Sequence, residues 1–447
     1  MSPRSSTVYV CSNCDAQTPR WVGRCAQCGK FGTVATTPTS VAPVSIRELG
    51  APAATVSLGS FEQVAAVRLP TGSAEVDRVL GGGLPAGSVV LMTGEPGVGK
   101  STLLLGLAER CGRSVLYVSG EEAAEQVAGR LKRLKLTGRS IAFTATSDLA
   151  AVAATVREIR PPLVVVDSLQ TMAVPAAGGS PGSPGQVRAV VAELTTLARA
   201  EGCTVVVIGH VTKEGVAAGP KTIEHLVDVV VSLEGSPHQP LRFLRSSKNR
   251  FGPTDEVGVL RLAEQGLTDV INPSEQFLAE RHQGAGSAVT AVLEGSRSLL
   301  IELQALVTHS RLASPKRATT GFDANRLQVL LAVLAERGGV RLQYSDVYIN
   351  LPGGFRVREP ALDLAMCLAV ASASFKKPLP RDLVVFGEVG LGGEIRPVVG
   401  AERRLQEAAR LGFKQALVPT LAEAKAPVGL ELMQVKTIAE AVEWVRH

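Results

Sequence analysis

Gly94-Glu95-Pro96-Gly97-Val98-Gly99-Lys100-Ser101-Thr102 follows an apolar run at 88–92 and opens a helical Leu/Ala pattern at 101–110. The stretch satisfies G-x4-G-K-[ST], and its place between a buried strand and a helix is the context in which that pattern cradles phosphates. Its glycines let backbone N–H groups close on the phosphates at a helix N-terminus. Lys100 is then placed to neutralise the β- and γ-phosphates and Ser101 to ligate Mg²⁺. The pattern therefore calls for ATP or ADP with Mg²⁺, held by Gly94, Glu95, Pro96, Gly97, Val98, Gly99, Lys100, Ser101 and Thr102.

Working outward, further β-branched runs at 114–118, 163–166, 204–208 and 228–233 alternate with helical patterns at 121–135 and 186–200. Strands that are apolar on both faces and separated by helices predict a mainly parallel α/β sheet covered on both sides, here over 58–272. The run at 163–166 ends in Asp167, as a second Mg²⁺-organising acid would. The run at 114–118 leads into Glu121 and Glu122, where a carboxylate would polarise a water for attack on the γ-phosphate or simply favour a helix N-terminus. His210, just after the run at 204–208, reads equally as a γ-phosphate sensor and as a strand-end histidine. A Gly/Pro/Ser-rich segment at 173–185 predicts a mobile loop.

The flanks have a different character. Cys11, Cys14, Cys25 and Cys28 give C-x2-C-x10-C-x2-C, two thiolate knuckles that close a tetrahedral Zn²⁺ site without an open position, hence a structural one. A metal-folded domain over 1–33 and a small-residue, Pro-containing linker over 34–57 follow from this. Arg20, Trp21 and Arg24 between the knuckles suit either nucleic-acid contact or packing of the ribbon. The chain has 447 residues, 45% hydrophobic and 20% charged, and 47 Lys and Arg against 41 Asp and Glu leave +6, too little to identify a nucleic-acid partner by itself. No apolar stretch is long enough for a membrane helix and the start lacks the apolar core of a signal peptide, so a cytoplasmic protein without membrane partners is expected. Beyond 285, strand patterns at 288–293, 383–387 and 415–419 mix with helical ones at 324–337, 360–374 and 401–411, predicting a further domain over 285–447.

Taken together, the four-cysteine head, the phosphate loop, Tyr117-Val118-Ser119-Gly120-Glu121-Glu122 and Lys248-Asn249-Arg250-Phe251-Gly252 resemble the RadA (Sms) family of bacterial DNA repair proteins, RecA-related ATPases. The resemblance covers essentially the whole chain, and the last pentapeptide is the family's own signature. It departs from the family pattern at Asp15, where glycine is usual, and at Phe31-Gly32-Thr33, where a Trp-containing segment is usual. The resemblance implies a RecA-like core, with Glu121 in the position of the catalytic glutamate and Glu122 the fallback. It further implies that Lys248 and Arg250 reach a nucleotide on the neighbouring subunit. Arg242, Arg245, Lys248 and Arg250 cluster as phosphate-contacting groups would, and the small number of aromatic residues argues for backbone tracking rather than base stacking as the main contact mode, with Phe251 the ring that could contribute.

The third region resembles the Lon protease domain, an α+β fold, through Leu351-Pro352-Gly353-Gly354, Glu359-Pro360-Ala361 and the segment from Gly393 to Gly400. Ala361 falls at the serine position and Glu402 at the lysine position, which implies a domain without peptidase activity. Its role would be a ring interface and a basic surface, with Arg311, Lys316, Arg317, Arg356 and Arg358 as DNA-contact candidates. The family implies a DNA-dependent ATPase acting on single-stranded and branched DNA as a homo-hexameric ring, driving branch migration. The alternative is a nucleotide-gated scaffold that recruits recombination or replication proteins.

Overall fold

The computed structural model of the chain describes residues 9–14, 16–36, 67–209, 223–235, 239–312, 314–352, 357–421 and 426–447. Contacts divide it into two units, one running to Thr254 and including Leu260–Asp269, the other comprising Asp255–Val259 and Val270–His447. At the N-terminus, β1 (Tyr9–Cys11) lies between β2 (Gln17–Thr18) and β3 (Val34–Thr36) in a small antiparallel sheet.

The first unit continues with β4 (Arg68–Leu69), α1 (Ala74–Leu80), β5 (Leu84–Pro85), β6 (Val89–Thr93), α2 (Lys100–Arg110), β7 (Val115–Ser119), α3 (Ala124–Arg133), β8 (Ile141–Ala145), α4 (Leu149–Ile159) and β9 (Leu163–Asp167). It ends with α5 (Pro184–Glu201), β10 (Thr204–Ile208), β11 (Val229–Glu234), β12 (Leu241–Asn249), the part of β13 (Val257–Ala263) from Leu260 onward, and β14 (Gly266–Asp269). The nine-stranded sheet has the order β14-β13-β12-β11-β6-β10-β9-β7-β8. From β11 to β8 the neighbours are parallel, whereas β12 returns antiparallel beside β11.

The parallel strands are apolar on both faces because helices cover both. Val90 and Met92 of β6 point into a cluster with Leu103, Leu104 and Leu107 of α2. Val89 and Leu91 point the other way, into a cluster with Val152 and Val156 of α4 and Val190, Val191 and Leu194 of α5. Such side chains contribute about 1.5–3 kcal/mol each when fully buried. The phosphate loop thus leaves a strand buried on both faces.

The second unit comprises α6 (Pro273–Leu278), β15 (Ser287–Glu294), β16 (Arg297–His309), β17 (Arg317–Thr320), α7 (Ala324–Glu336), β18 (Ser345–Asn350), α8 (Asp363–Phe375), β19 (Leu383–Val385), β20 (Glu388–Val389), β21 (Ile395–Arg396), α9 (Ala401–Arg410), β22 (Gln415–Pro419), β23 (Glu431–Val435) and α10 (Ile438–Arg446). Its main sheet runs β17-β18-β16-β15-β19-β22-β23. Helix α8 is buried from Asp363 to Ser372, as a helix apolar on all sides must be.

One ion pair ties this unit together. Arg404 is fully buried and its guanidinium meets the Glu359 carboxylate and the carbonyl of Ala291, while Leu293 N–H donates to Glu359 Oε2 at 2.9 Å. Removing one partner of such a pair leaves an uncompensated charge, at a cost of about 3 kcal/mol. Arg404→Ala is therefore expected to raise hydrogen-exchange rates throughout β15 and α9, and Glu359→Gln/Arg404→Met to restore most of the protection.

Candidate nucleotide site and metal centre

All five residues of β6 are buried, and the chain leaves the sheet at Gly94. A Cβ on Gly94, whose φ is 149°, would stand 2.4 Å from the Leu233 carbonyl oxygen of neighbouring β11, so only glycine fits. Gly99 caps α2 with φ 111° and no side-chain acceptor, leaving the first-turn N–H groups available to an anion. Lys100 is buried at 5% exposure and donates from Nζ to the carbonyls of Gly94 at 2.9 Å and Glu95 at 3.0 Å. Burial lowers its pKa, and the nearby Asp167 carboxylate opposes the shift. An ammonium held by neutral carbonyls in a glycine-lined loop is well suited to an incoming phosphate.

Arg242 lies inside the protein. It is 1% exposed, donates from Nε to the Val98 carbonyl at 2.9 Å and from Nη1 to Leu241 at 2.8 Å, and braces the phosphate loop from β12. This corrects its expected place among the DNA-contacting cations. Arg245 faces Glu234 at 3.2 Å, and Phe251 packs against the core rather than offering a free ring.

Asp167 ends β9 at 7% exposure, opposite Ser119 in the register of β7 with β9. Tyr117 donates its hydroxyl to Asp167 Oδ2 at 2.7 Å. Burial, reinforced by that carboxylate, pushes the tyrosine pKa far above its ordinary value, so the hydroxyl remains a donor. Ser168 Oγ donates to Glu121 Oε1 at 2.6 Å, whereas Glu122 turns to Arg130 Nη2 at 2.5 Å. The fold therefore gathers Gly94 to Thr102, Asp167 and Glu121 on the C-terminal edge of the parallel strands. His210 lies outside the described residues. The segment at 173–185, expected to be mobile, is pinned by Gln186, whose amide pairs with Val174 N–H at 2.9 Å and the Val174 carbonyl at 3.0 Å.

Lys248 and Arg250 stand at the other edge. Because β12 runs antiparallel to β11, its end returns to where β6 and β11 begin, with Val230 opposite Lys248 and Val229 opposite Asn249. Lys248 Nζ donates to the Glu224 carbonyl at 2.8 Å, and burial, aided by Arg250, lowers its pKa. Arg250 Nη1 meets Asp228 Oδ1 at 3.1 Å, and Asp228 Oδ2 accepts from Val89 N–H at 3.1 Å at the first residue of β6. The length of β6 thus separates these cations from the phosphate loop of the same chain.

In the head, the Sγ atoms of Cys11, Cys14, Cys25 and Cys28 lie within 4.8 Å of one another, with Cys11–Cys28 at 3.7 Å and Cys14–Cys25 at 3.6 Å. Four sulfurs about 2.3 Å from a tetrahedral Zn²⁺ stand about 3.75 Å apart, so the donor set fits that ion. Only Cys11, Cys25 and Val34 form its buried apolar cluster, too little to hold a fold. A strong chelator is expected to release one Zn²⁺ per chain and abolish the protection of β1 to β3 against exchange; retained protection would show that the head folds without metal.

Comparison with curated proteins gives the family. The chain is 44% identical to the DNA repair protein RadA of Pseudomonas aeruginosa over 98% of this chain and 99% of that one. It is 42% identical to that of Escherichia coli, with 99% of each covered. The chain belongs to the RadA family of DNA repair proteins. It has an ATP-hydrolysing core: residues 57–216 match the family described as an AAA domain, and 9–35 the rubredoxin metal binding domain. Residues 321–421 match subunit ChlI of Mg-chelatase, and this Lon-like domain follows the RecA-like core and zinc head. Among the described residues no helix is long and apolar enough to cross a membrane.

Within the Lon-like domain, Ala361 is fully buried while Glu402 is exposed in the first turn of α9. The neighbouring ground is taken by the Glu359–Arg404 pair. Arg317 donates to the carbonyls of Ser345 at 2.7 Å and Leu342 at 3.1 Å, whereas Arg311 and Arg358 are exposed; Arg356 lies outside the described residues. Sequence reasoning missed Tyr117 and Ser168 as partners of Asp167 and Glu121, although both stand inside quoted or adjoining motifs. Their relevance arises only when β7 and β9 are set side by side.

Proposed function

We propose that the chain is a DNA-dependent ATPase that binds single-stranded DNA and drives branch migration and strand extension of recombination intermediates as a homo-hexameric ring. Gly94 to Thr102 hold ATP or ADP, and Ser101 and Asp167 are the Mg²⁺ ligands. The bound Mg²⁺ supplies charge neutralisation at the β- and γ-phosphates. Glu121, oriented by Ser168, positions and polarises the attacking water. Tyr117 fixes the Asp167 carboxylate. Lys100 exchanges its two carbonyl partners for phosphate oxygens.

The observation that carries the reading is the placement of Lys248 and Arg250 on the edge opposite Lys100. From there they serve a nucleotide only if it is bound to another subunit, which supports a head-to-tail ring in which hydrolysis and DNA contact are coupled across each interface. With Ala361 in place of a nucleophile and Glu402 in place of its base, the C-terminal domain performs no peptide cleavage.

Steady-state ATP hydrolysis with and without single-stranded DNA tests this, comparing the intact chain with Lys248→Ala. DNA stimulation of the intact chain that disappears in the variant is expected. Equal, unstimulated rates in both would instead favour a recruiting scaffold. Binding to single strands should weaken with salt by roughly 0.7 in log–log slope per neutralised phosphate.

A further inference from the structure

The sheet edge away from the phosphate loop carries a row of cations that the nucleotide site leaves unused. Register fixes their places. Val115 pairs with Ile141 and Leu163, Leu163 with Thr204, and Val205 with Val89, so β8, β7, β9, β10 and β6 begin nearly level. Just ahead of these starts lie Arg139 and Lys135 before β8, Arg113 before β7 and Arg160 before β9, all exposed. Lys132 and Arg133 in the last turn of α3 and Arg199 in that of α5 extend the row.

The carboxylates at this edge are largely committed to other groups. Glu109 accepts from the N–H groups of Thr137 and Gly138 at 3.1 Å, Glu201 meets Arg157 at 3.4 Å, and Asp228 holds Arg250 at 3.1 Å and, within the row, Arg199 at 3.6 Å. Helix dipoles favour cations in a last turn and so account for Lys132, Arg133 and Arg199. They also favour Arg160, the C-cap of α4, and Lys135, one residue past the C-cap of α3, but do not account for Arg113 and Arg139, which stand further along the chain. Among the described residues, none of these four forms a salt bridge, although Arg139 stands close enough to Glu109 to help the Thr137 hydroxyl hold that carboxyl below its ordinary pKa.

Two of them also occupy positions that favour glycine. Lys135 and Arg160 follow α3 and α4 with φ of 57° and 49°. In that left-handed conformation glycine is the low-cost residue, and the chain instead presents a long cationic side chain. Like charges set side by side repel one another, and an anion lying across them relieves that repulsion.

We infer that this rim is a second nucleic-acid surface, one that grips the phosphate backbone of a duplex arm of branched DNA; the inference rests on the DNA-dependent reading above. From β10 to β8 the rim spans three strand spacings, ~14 Å, the reach of about four phosphates along one strand. A duplex is favoured over a single strand because the rim offers no ring for unpaired bases. The exposed large apolar side chains between residues 67 and 209 are Val67 and Ile159, neither of them aromatic. Arg199 shares the Asp228 carboxylate with Arg250 and so joins the rim to that pair, whereas Arg113, Lys135, Arg139 and Arg160 lie at β9 and beyond, at least four strand spacings, ~19 Å, from β12.

The test uses the full chain and its Arg113→Gln/Lys135→Asn/Arg139→Gln/Arg160→Asn variant, with asparagine where φ is positive. Salt titrations measure binding to a fluorescent forked DNA with duplex arms and to oligo(dT). Loss of four phosphate contacts should lower the magnitude of the log–log slope for the fork by about 3 to 4, at roughly 0.9 each, while the oligo(dT) slope and single-strand-stimulated ATP turnover stay unchanged. Arg113→Lys/Arg139→Lys/Arg160→Lys should keep the fork slope, which separates charge from fold. Equal fork slopes in the intact and neutralised chains overturn the proposal. So does a parallel fall for oligo(dT), which would make the rim a single-strand path. Absent stimulation of the intact chain by single strands refutes the motor reading instead, and the fork slope still decides the rim by itself.

Discussion

An equimolar mixture of Lys100→Ala and Arg250→Ala chains is expected to recover ATP turnover that neither variant shows alone. Lys100 serves the nucleotide of its own chain, from a loop at the C-terminal end of β6. Arg250 emerges at the start of that same strand, where Asp228 binds both the Arg250 guanidinium and Val89 N–H. If Arg250 acts on a neighbour, a mixed ring contains interfaces in which an intact phosphate loop from the Arg250→Ala chain meets an intact arginine from the Lys100→Ala chain. Random mixing makes roughly one in four interfaces of a head-to-tail ring complete. Turnover near a quarter of the intact rate is expected, against a deficit of about 10³-fold or more for Arg250→Ala alone, the scale of a trans-acting arginine. A mixture as inactive as its parts would sink the trans assignment. Arg250 would then be a structural partner of Asp228.

The antiparallel return of β12 is what makes this experiment meaningful, and it was not legible in the sequence. The parallel strands were. Four β-branched runs and the phosphate-loop run coincide with β6, β7, β9, β10 and β11 to within a residue, because strands buried on both faces carry an uninterrupted apolar signal. Strand β8, half-buried as Ile-Ala-Phe-Thr-Ala at the edge of the sheet, gives no such run. Nor does β12, whose Leu-Arg-Phe-Leu-Arg-Ser-Ser-Lys-Asn reads as a polar loop. Its arginines illustrate the reason. Arg242 and Arg245 look alike in the sequence, yet the register of β12 sends the first into the protein against Val98 and leaves the second facing Glu234. Charge alone does not reveal which side a residue takes; once the segment is known to be a strand, positions three apart such as Arg242 and Arg245 fall on opposite faces. The zinc ligands and Gly94 to Thr102 needed no such knowledge, because local spacing fixes their chemistry.

Glu121→Gln is expected to lower ATP turnover by about 10²- to 10⁴-fold, the usual contribution of a positioned general base, while leaving nucleotide binding near the intact level. Glu122→Gln is expected to leave turnover within about twofold. Adjacent in sequence, the two carboxylates diverge because Ser119 Oγ accepts from both backbone N–H groups, at 3.3 Å from Glu121 and 2.9 Å from Glu122, and so holds the turn after β7. From that turn Glu121 reaches Ser168 beside Asp167, and Glu122 reaches back to Arg130 on α3. Glutamine keeps an acceptor for the Ser168 hydroxyl, so geometry persists while the ability to take a proton is lost. At Glu122 the substitution gives up a partly exposed ion pair, worth at most about 1 kcal/mol of stability. Single-turnover hydrolysis and fluorescent-nucleotide binding on both variants separate the roles: a large hydrolytic defect in Glu122→Gln with a mild one in Glu121→Gln would reverse the assignment, and lost binding in Glu121→Gln would make that residue a ligand of the nucleotide rather than its base.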